Sequence, residues 1–279
     1  MILSGKARLA GVLGWPVGHS RSPRLHGYWL AQHGIDGAYL PLPVTREDFA
    51  EVLHALPRMG FKGCNVTVPH KERALALADV VEPLAARIGA VNTLVFGEDG
   101  LITGRNTDAF GFLENLRQGC PGFAAKRGPA VVLGSGGAAR AVIVALQDDG
   151  CPEIRLVNRT LARAEEVAAE LGPTVRPVAW ARRAEALDGA ALLVNTTTLG
   201  MIGQPPLELD LTTLPVDALV NDIVYAPLET ALLAAASARG NKTVDGLGML
   251  LHQARPGFAA WFGVVPEVTD GLRTFVGET

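Results

Sequence analysis

Short apolar segments bounded by Gly, Pro or Asp alternate with helix-period segments along almost the whole chain. RLAGVLG, AYLPLPV, KGCNVTV, NTLVF and LITGRN read as strands. Between them SPRLHGYWLAQHG, TREDFAEVLHALPRMG and HKERALALADVVEPLAARIG carry helical patterns. This alternation predicts a mostly parallel sheet with helices on it, because parallel strands need long crossover connections. A helix, DAFGFLENLRQ, starts at Asp108, and a Gly/Pro-rich passage, GCPGFAAKRGP, separates it from a second alternating series. That series is AVVLGSG, a helix through residue 148, EIRLVNR, a helix LARAEEVAAELG, then strand-like RPVAW, ALLVNTT and ALVNDIVY. It predicts a doubly wound domain from about Asp108 to about residue 245. The last part, LGMLLHQARPGFAAWFG and the tail after it, reads as helical again, and periodicity does not say which domain it covers.

The length of 279 residues suffices for two ordinary domains, and 48% hydrophobic with 19% charged residues supplies a core. A net charge of -3 gives no electrostatic footprint for nucleic acid or an anionic membrane. The best candidate for a membrane span, AVVLGSGGAARAVIVAL, is broken by glycines and by Arg140. MILSGKARLAGVLGWP lacks the apolar run and cleavage pattern of a signal peptide. Cys64, Cys120 and Cys151 are odd in number and form no CxxC pair, so reduced thiols in a cytoplasm are expected. The six histidines show no ligand spacing, and no metal site is expected.

Several short motifs carry chemistry. The strand AVVL runs into GSGGAAR, where Gly134, Gly136 and Ala139 fit G-x-G-x-x-A between a strand and a helix. Such a turn lets a pyrophosphate approach the helix N-terminus; a glycine-rich turn without a ligand is the plainer reading. The next strand ends in NRT, followed by Arg163. An NAD site would place Asp or Glu here, whereas Asn158, Arg159 and Arg163 suit a 2′-phosphate; the alternative is that both arginines are solvated charges at a helix start. In GHSRSPRLH the residues alone favour Ser22 as a helix N-cap with Pro23 at the first helical position. The alternative uses the Ser20 and Ser22 hydroxyls to bind a carboxylate. Asn92, Asn106, Asp108, Tyr225 and Gln253 each have a plain structural reading of their own, Asp108 as a helix cap. In NVTVPHK, Asn65 and Thr67 share one strand face and Lys71 falls in the first turn of a helix. The macrodipole disfavours a cation there by about a few tenths of a kcal/mol, so removing it is expected to stabilise the fold slightly.

Taken together, GWPVGHSRSPRLH, GCNVTVPHK, GAVNTL, RNTD, LGSGGAAR, NRTLARA, NTTTLGM, NDIVYAP and DGLGMLLHQA, in this order, resemble the shikimate 5-dehydrogenase family over essentially the whole length. The resemblance implies an α/β protein with an N-terminal α/β substrate domain, residues 1–107, onto which C-terminal helices of 246–279 pack back. It implies a Rossmann-type NADP-binding domain over 108–245, with the reaction in the cleft between the two. Lys71 and Asp108 would be the proton-transfer pair. Ser20, Ser22, Thr67, Asn92, Tyr225 and Gln253 would bind the substrate, the serines through its carboxylate. Gly134, Ser135, Gly136, Gly137 and Ala138 would hold the pyrophosphate of NADP(H). Asn158, Arg159, Thr160 and Arg163 would hold its adenosine phosphate side, and Ile223, Gly246 and Met249 would lie near the nicotinamide. The chain departs from the family pattern at Gly27, Ala109 and Thr198-Leu199, which touches substrate range and none of the matched ligand residues.

The implied activity is NADP-dependent reduction of 3-dehydroshikimate to shikimate, a step of chorismate and aromatic amino acid biosynthesis, by a cytoplasmic monomer or homodimer. Hydride reduction of a ketone leaves an oxyanion, and an ammonium in hydrogen-bond reach can stabilise it and deliver the proton. A quinate/shikimate dehydrogenase using NAD is the near alternative, and a non-catalytic sensor of shikimate-type ligands is the distant one.

Overall fold

The structure, a computed structural model, describes residues 2–278. The chain forms two compact units: residues up to Asp108 with those from Leu250 onward, and Ala109–Met249.

The first unit is built on β1 (Arg8–Gly14), β2 (Gly37–Pro43), β3 (Phe61–Val66), β4 (Val80–Val81), β5 (Thr93–Phe96) and β6 (Ile102–Arg105). They lie in the order β2, β1, β3, β5, β6, β4. β1 runs parallel to both neighbours, whereas β5 is antiparallel to β3 and β6. The sheet is thus parallel-rich but mixed: Gly97 to Leu101 is too short for a crossover, and Gly100 at φ +84° turns the chain back as a hairpin. The helices are α1 (Ser22–Gln32), α2 (Phe49–Ala55), α3 (Lys71–Leu77) and α4 (Pro83–Ile88). The segment expected as one helix over HKERALALADVVEPLAARIG is therefore broken. Pro83 holds Glu82 extended, at ψ 146°, and Val80–Val81 are released to pair with β6.

The second unit holds α5 (Asp108–Gly119) after its first residue, β7 (Ala130–Leu133), α6 (Gly137–Asp148), β8 (Ile154–Asn158), α7 (Leu161–Leu171), β9 (Val175–Ala179), β10 (Leu192–Asn195), β11 (Leu219–Asp222), α8 (Ala231–Ala238) and β12 (Lys242–Val244). Its strands are all parallel, in the order β12, β11, β10, β7, β8, β9. Strand order reverses between β7 and β10, the switch point where doubly wound sheets open a crevice at their carboxyl ends. β7 is buried throughout, as a central parallel strand must be.

α9 (Leu247–Phe262) and α10 (Asp270–Gly277) complete the chain. In the first unit the indole N–H of Trp261 donates to the Leu94 carbonyl of β5 at 3.0 Å. The ring occupies the hole left by Gly63: a Cβ there would stand 2.2 Å from Trp261 Nε1 and 2.1 Å from Leu94 O. Beside it, α1 buries Leu25, His26, Trp29 and Leu30, one apolar stripe at helical spacing. His26 is fully buried and stacks on Tyr39 at 3.9 Å between centroids and 6° between planes, with Phe258 and Trp261 also around it. Neither ring nitrogen has a partner of good geometry. Desolvation, only partly countered by the Asn65 carboxamide, lowers its pKa to about 3.

Candidate active site

Lys71 is the first residue of α3 and Asp108 the first of α5. Lys71 Nζ donates to Asp108 Oδ2 at 2.5 Å, the two side chains being 16% and 1% exposed. The other carboxylate oxygen accepts from Asn92 Nδ2 at 2.7 Å. Asn92 is itself fixed: its Nδ2 also reaches Thr107 Oγ1 at 2.9 Å, and its Oδ1 accepts from the Thr107 amide and from Thr93 Oγ1, each at 2.9 Å. Asn106 Oδ1 accepts from the Asp108 amide at 3.0 Å, and Asn106 Nδ2 donates to Ala90 O at 2.9 Å. The reading of Asp108 as a plain cap does not describe it, since both carboxylate oxygens are engaged by side chains. An ammonium has three donors, and the bond to Asp108 leaves two for a ligand.

The start of α3 is held by His70, which is buried, stacked on Phe49 at 4.4 Å and 2.7 Å from the Val44 carbonyl through Nε2. Burial lowers its pKa, against the Val44 bond and helped by Arg46 and Arg73, so the neutral ring donates to Val44. The Val91 amide donates to Lys71 O at 3.0 Å, tying the helix start to the segment that carries Asn92.

Asn65 is not a free ligand group beside Thr67. Its Oδ1 accepts from Tyr39 O–H at 2.6 Å, and its Nδ2 donates to Asn92 O at 3.1 Å and Thr93 Oγ1 at 3.0 Å. Thr67 lies one residue past β3, its amide bonded to Leu13 O at 2.9 Å. Its methyl group sits over Gly14, where a Cβ would come within 2.4 Å. Ser22 does not cap α1. Arg21 holds the cap position with helical φ and ψ, so the turn begins one residue early, and Ser20 Oγ accepts from the Ser22 amide at 3.3 Å. Both serines and Gln253, on α9, are half-buried.

In the second unit the turn from β7 to α6 is shaped for a phosphate. Gly134 sits at φ +100°, and a Cβ there would meet Thr196 Oγ1 at 2.9 Å, whereas a Cβ on Gly136 would meet nothing within 4 Å. No side chain caps α6, so the amides of Gly137 and Ala138 remain donors beside half-buried Ser135. At the next turn Asn158 Nδ2 donates to Thr160 O at 2.8 Å, and Thr160 occupies the uncapped start of α7. Arg159 and Arg163 are exposed and, among the described residues, neither guanidinium has a carboxylate partner. Two unpaired guanidinium groups and free helix amides fit a dinucleotide bearing an additional phosphate.

The segment after β11 is anchored by Asp222. Its Oδ1 accepts from Asn195 Nδ2 and the Val224 amide, each at 3.0 Å, and its Oδ2 from Thr230 Oγ1 at 2.7 Å. Burial raises its pKa in spite of these bonds. Ile223 and Gly246 are brought together: a Cβ on Gly246 would come within 2.1 Å of Ile223 O. Met249 is buried, and Tyr225 is half-buried in the same segment as Ile223. Among the described residues no group of three or more His, Cys, Asp or Glu could hold a metal ion, and no helix is long and apolar enough to cross a membrane. The residues that sequence reasoning passed over are Tyr39, Thr93 and Thr107, which touch the pair only through other side chains.

Residues 12–94 match the family described as Shikimate dehydrogenase substrate binding domain, and residues 121–199 the family Shikimate / quinate 5-dehydrogenase. The chain is 68% identical over 274 residues to Shikimate dehydrogenase (NADP(+)) of Paramagnetospirillum magneticum, covering 98% of this chain and 99% of the relative. Shikimate 5-dehydrogenase from Thermus thermophilus, solved in complex with NADP(H) and shikimate, is 39% identical with a TM-score of 0.85, over 96% of this chain and 98% of that one. Quinate dehydrogenase from Corynebacterium glutamicum in complex with NAD is 32% identical with a TM-score of 0.88, over the same shares.

Proposed function

The chain belongs to the shikimate dehydrogenase family, and from that premise we propose that it is an NADP-dependent oxidoreductase that interconverts 3-dehydroshikimate and shikimate in the cytoplasm. The observation that carries the reading is the Lys71–Asp108 pair at 2.5 Å, with Asn92 on the second carboxylate oxygen. NADPH supplies the hydride when bound. Lys71 donates a proton to the oxygen that the reduction leaves negative, and Asp108 and Asn92 hold the ammonium in place for it. In the oxidative direction the same pair accepts the proton. Ser20 and Ser22 bind the substrate carboxylate, while Thr67, Asn92, Gln253 and Tyr225 orient its hydroxyls. Gly134 to Ala138 take the pyrophosphate, Asn158, Arg159, Thr160 and Arg163 the 2′-phosphate side, and Ile223, Gly246 and Met249 the nicotinamide. Purified protein mixed with shikimate or quinate, and NADP or NAD, tests this by absorbance of the reduced nicotinamide. Reduction of NADP by shikimate is the expected result; no reduction with any pair would leave a binding protein.

Cofactor choice rests on Arg159 and Arg163. A charge-assisted hydrogen bond to phosphate contributes about 1.5–3 kcal/mol. Arg159→Ala and Arg163→Ala are therefore each expected to raise KM for NADP by roughly tenfold or more and to leave that for NAD nearly unchanged. Equal weakening toward both cofactors would show that they do not read the 2′-phosphate. The double change Ser20→Ala/Ser22→Ala is expected to weaken shikimate binding and leave NADP affinity alone. Because Ser22 makes no cap, Ser22→Ala should not cost the ~1 kcal/mol of a lost N-cap. Calorimetric melting and shikimate titration of the same preparation check both statements, and a large drop in Tm with intact binding would reverse the assignment.

A further inference from the structure

Resting on the activity proposed above, we propose that Tyr39 is a positioning residue of the reaction, which acts through Asn65 to set Asn92 and so the Lys71–Asp108 pair. Tyr39 stands on β2 and Asn65 on β3, with β1 between them. The register places Tyr39 beside Ala10 and Asn65 beside Val12. Residues two apart on a strand share a face, so all four lie on one face, and small Ala10 leaves the phenol room to cross β1. The hydroxyl then meets Asn65 Oδ1 at 2.6 Å.

The acceptor-only carbonyl of Asn92 requires the amide nitrogen of Asn65 on its side, and the Tyr39 bond to Oδ1 holds the carboxamide in that orientation. With Oδ1 facing Tyr39, Nδ2 must face Asn92 O and Thr93 Oγ1, which accept from it at 3.1 and 3.0 Å. Thr93 Oγ1 in turn donates to Asn92 Oδ1 at 2.9 Å, and Asn92 Nδ2 donates to Asp108 Oδ1 at 2.7 Å. Every bond in this series runs in one direction, from the phenol to the carboxylate that orients Lys71. The Tyr39 ring cannot swing away, since His26 lies flat on it at 3.9 Å. Nor does it cease to donate: burial, with Cys64, pushes its pKa well above the ordinary value, outweighing the opposing effect of Ser22. A buried tyrosine whose hydroxyl merely finds a partner would satisfy Asn65 as well, but it would leave turnover unchanged when that hydroxyl is removed.

Tyr39→Phe keeps the stacked ring and deletes one oxygen. The intact wild-type chain, Tyr39→Phe, Asn65→Ala and the double variant are assayed with shikimate and NADP, and Tm is recorded for each. Small misplacements of reacting groups cost rate, so Tyr39→Phe is expected to lower kcat by about tenfold. KM for NADP should stay within roughly twofold, and the double variant should turn over no more slowly than Asn65→Ala alone. If Asn65→Ala does not fold, Asn65→Asp, which cannot donate to Asn92, takes its place in the cycle. Tyr39→Phe with wild-type kcat, or a double variant slowed by the product of the two single effects, overturns the inference. Wild-type protein that turns over no shikimate overturns the proposed activity and the inference with it, a result distinguishable at the first measurement.

Discussion

Lys71→Ala is expected to lower kcat at least a hundredfold, because a positioned general acid or base supplies about 10²–10⁴ in rate, or roughly 3–5 kcal/mol of barrier. Shikimate binding should suffer less, since the serines, Thr67, Asn92 and Gln253 remain. Lys71→Arg should not rescue the rate, because a guanidinium does not exchange its proton at working pH. Asp108→Asn should also slow turnover, and the double variant should lose less than the two single effects combined. Steady-state and single-turnover rates check these outcomes, and near-normal kcat in Lys71→Ala would move the proton elsewhere. The structure changes the expected effect on folding. The helix dipole alone favours losing the cation, by about a few tenths of a kcal/mol. However, Asp108 is 1% exposed, and removing its partner leaves a buried carboxylate short of one bond. Breaking such a pair typically costs about 3–5 kcal/mol, so the second effect wins and Lys71→Ala should be less stable. Turnover must therefore be measured well below the melting temperature of the variant.

Acid should destabilise the fold through His26. Its pKa is lowered to about 3 in the folded protein, against an ordinary value of 6.5. Between those values the unfolded chain binds the extra proton. The stabilisation is thus complete above about pH 6.5 and is lost as pH falls toward 3. The slope reaches about 1.4 kcal/mol per pH unit, or about 2 kcal/mol between pH 7 and pH 5. His70 shifts the same way and Asp222 the opposite way, so the informative quantity is a difference between two proteins. His26→Phe keeps an aromatic ring on Tyr39 and cannot titrate. Urea unfolding at both pH values should show the variant losing about 2 kcal/mol less than its parent. An equal loss in both would mean that His26 is not the group that titrates.

The strands were legible where apolar runs were bounded by Gly, Pro or Asp. RLAGVLG is β1 residue for residue, and the helix expected from Asp108 begins there. The alternation in the second series led directly to the doubly wound sheet. Val80–Val81 was not legible, because two residues carry no period and only pairing with β6 makes them a strand. The same holds for β12, whose three residues gain their hydrogen bonds from β11. α8, with its run of alanines, went unread for lack of a polar face to give it a period. Within the site, Lys71 stood out because a cation at a helix start violates a local preference. Tyr39 and His26 carried no such mark. Their roles depend on Asn65, Phe258 and Trp261, residues far apart in sequence that meet only once the sheet and α9 have formed.

The seat of Trp261 over Gly63 constrains how this protein can change. α9 carries Gln253 as well as Trp261, so the ring that fixes the helix also fixes a proposed substrate contact. Any side chain at Gly63 must displace that indole or the Leu94 carbonyl it bonds, because a first carbon already stands 2.2 Å from one and 2.1 Å from the other. A mutational library that aims to broaden the substrate range would find no productive variant at this position, even though it contacts no ligand. Gly27 is the counterpart: a Cβ there meets nothing within 4 Å, so the same library can sample it freely. Evolutionary room in this unit is therefore set by which glycines are holes for another residue and which are merely vacant.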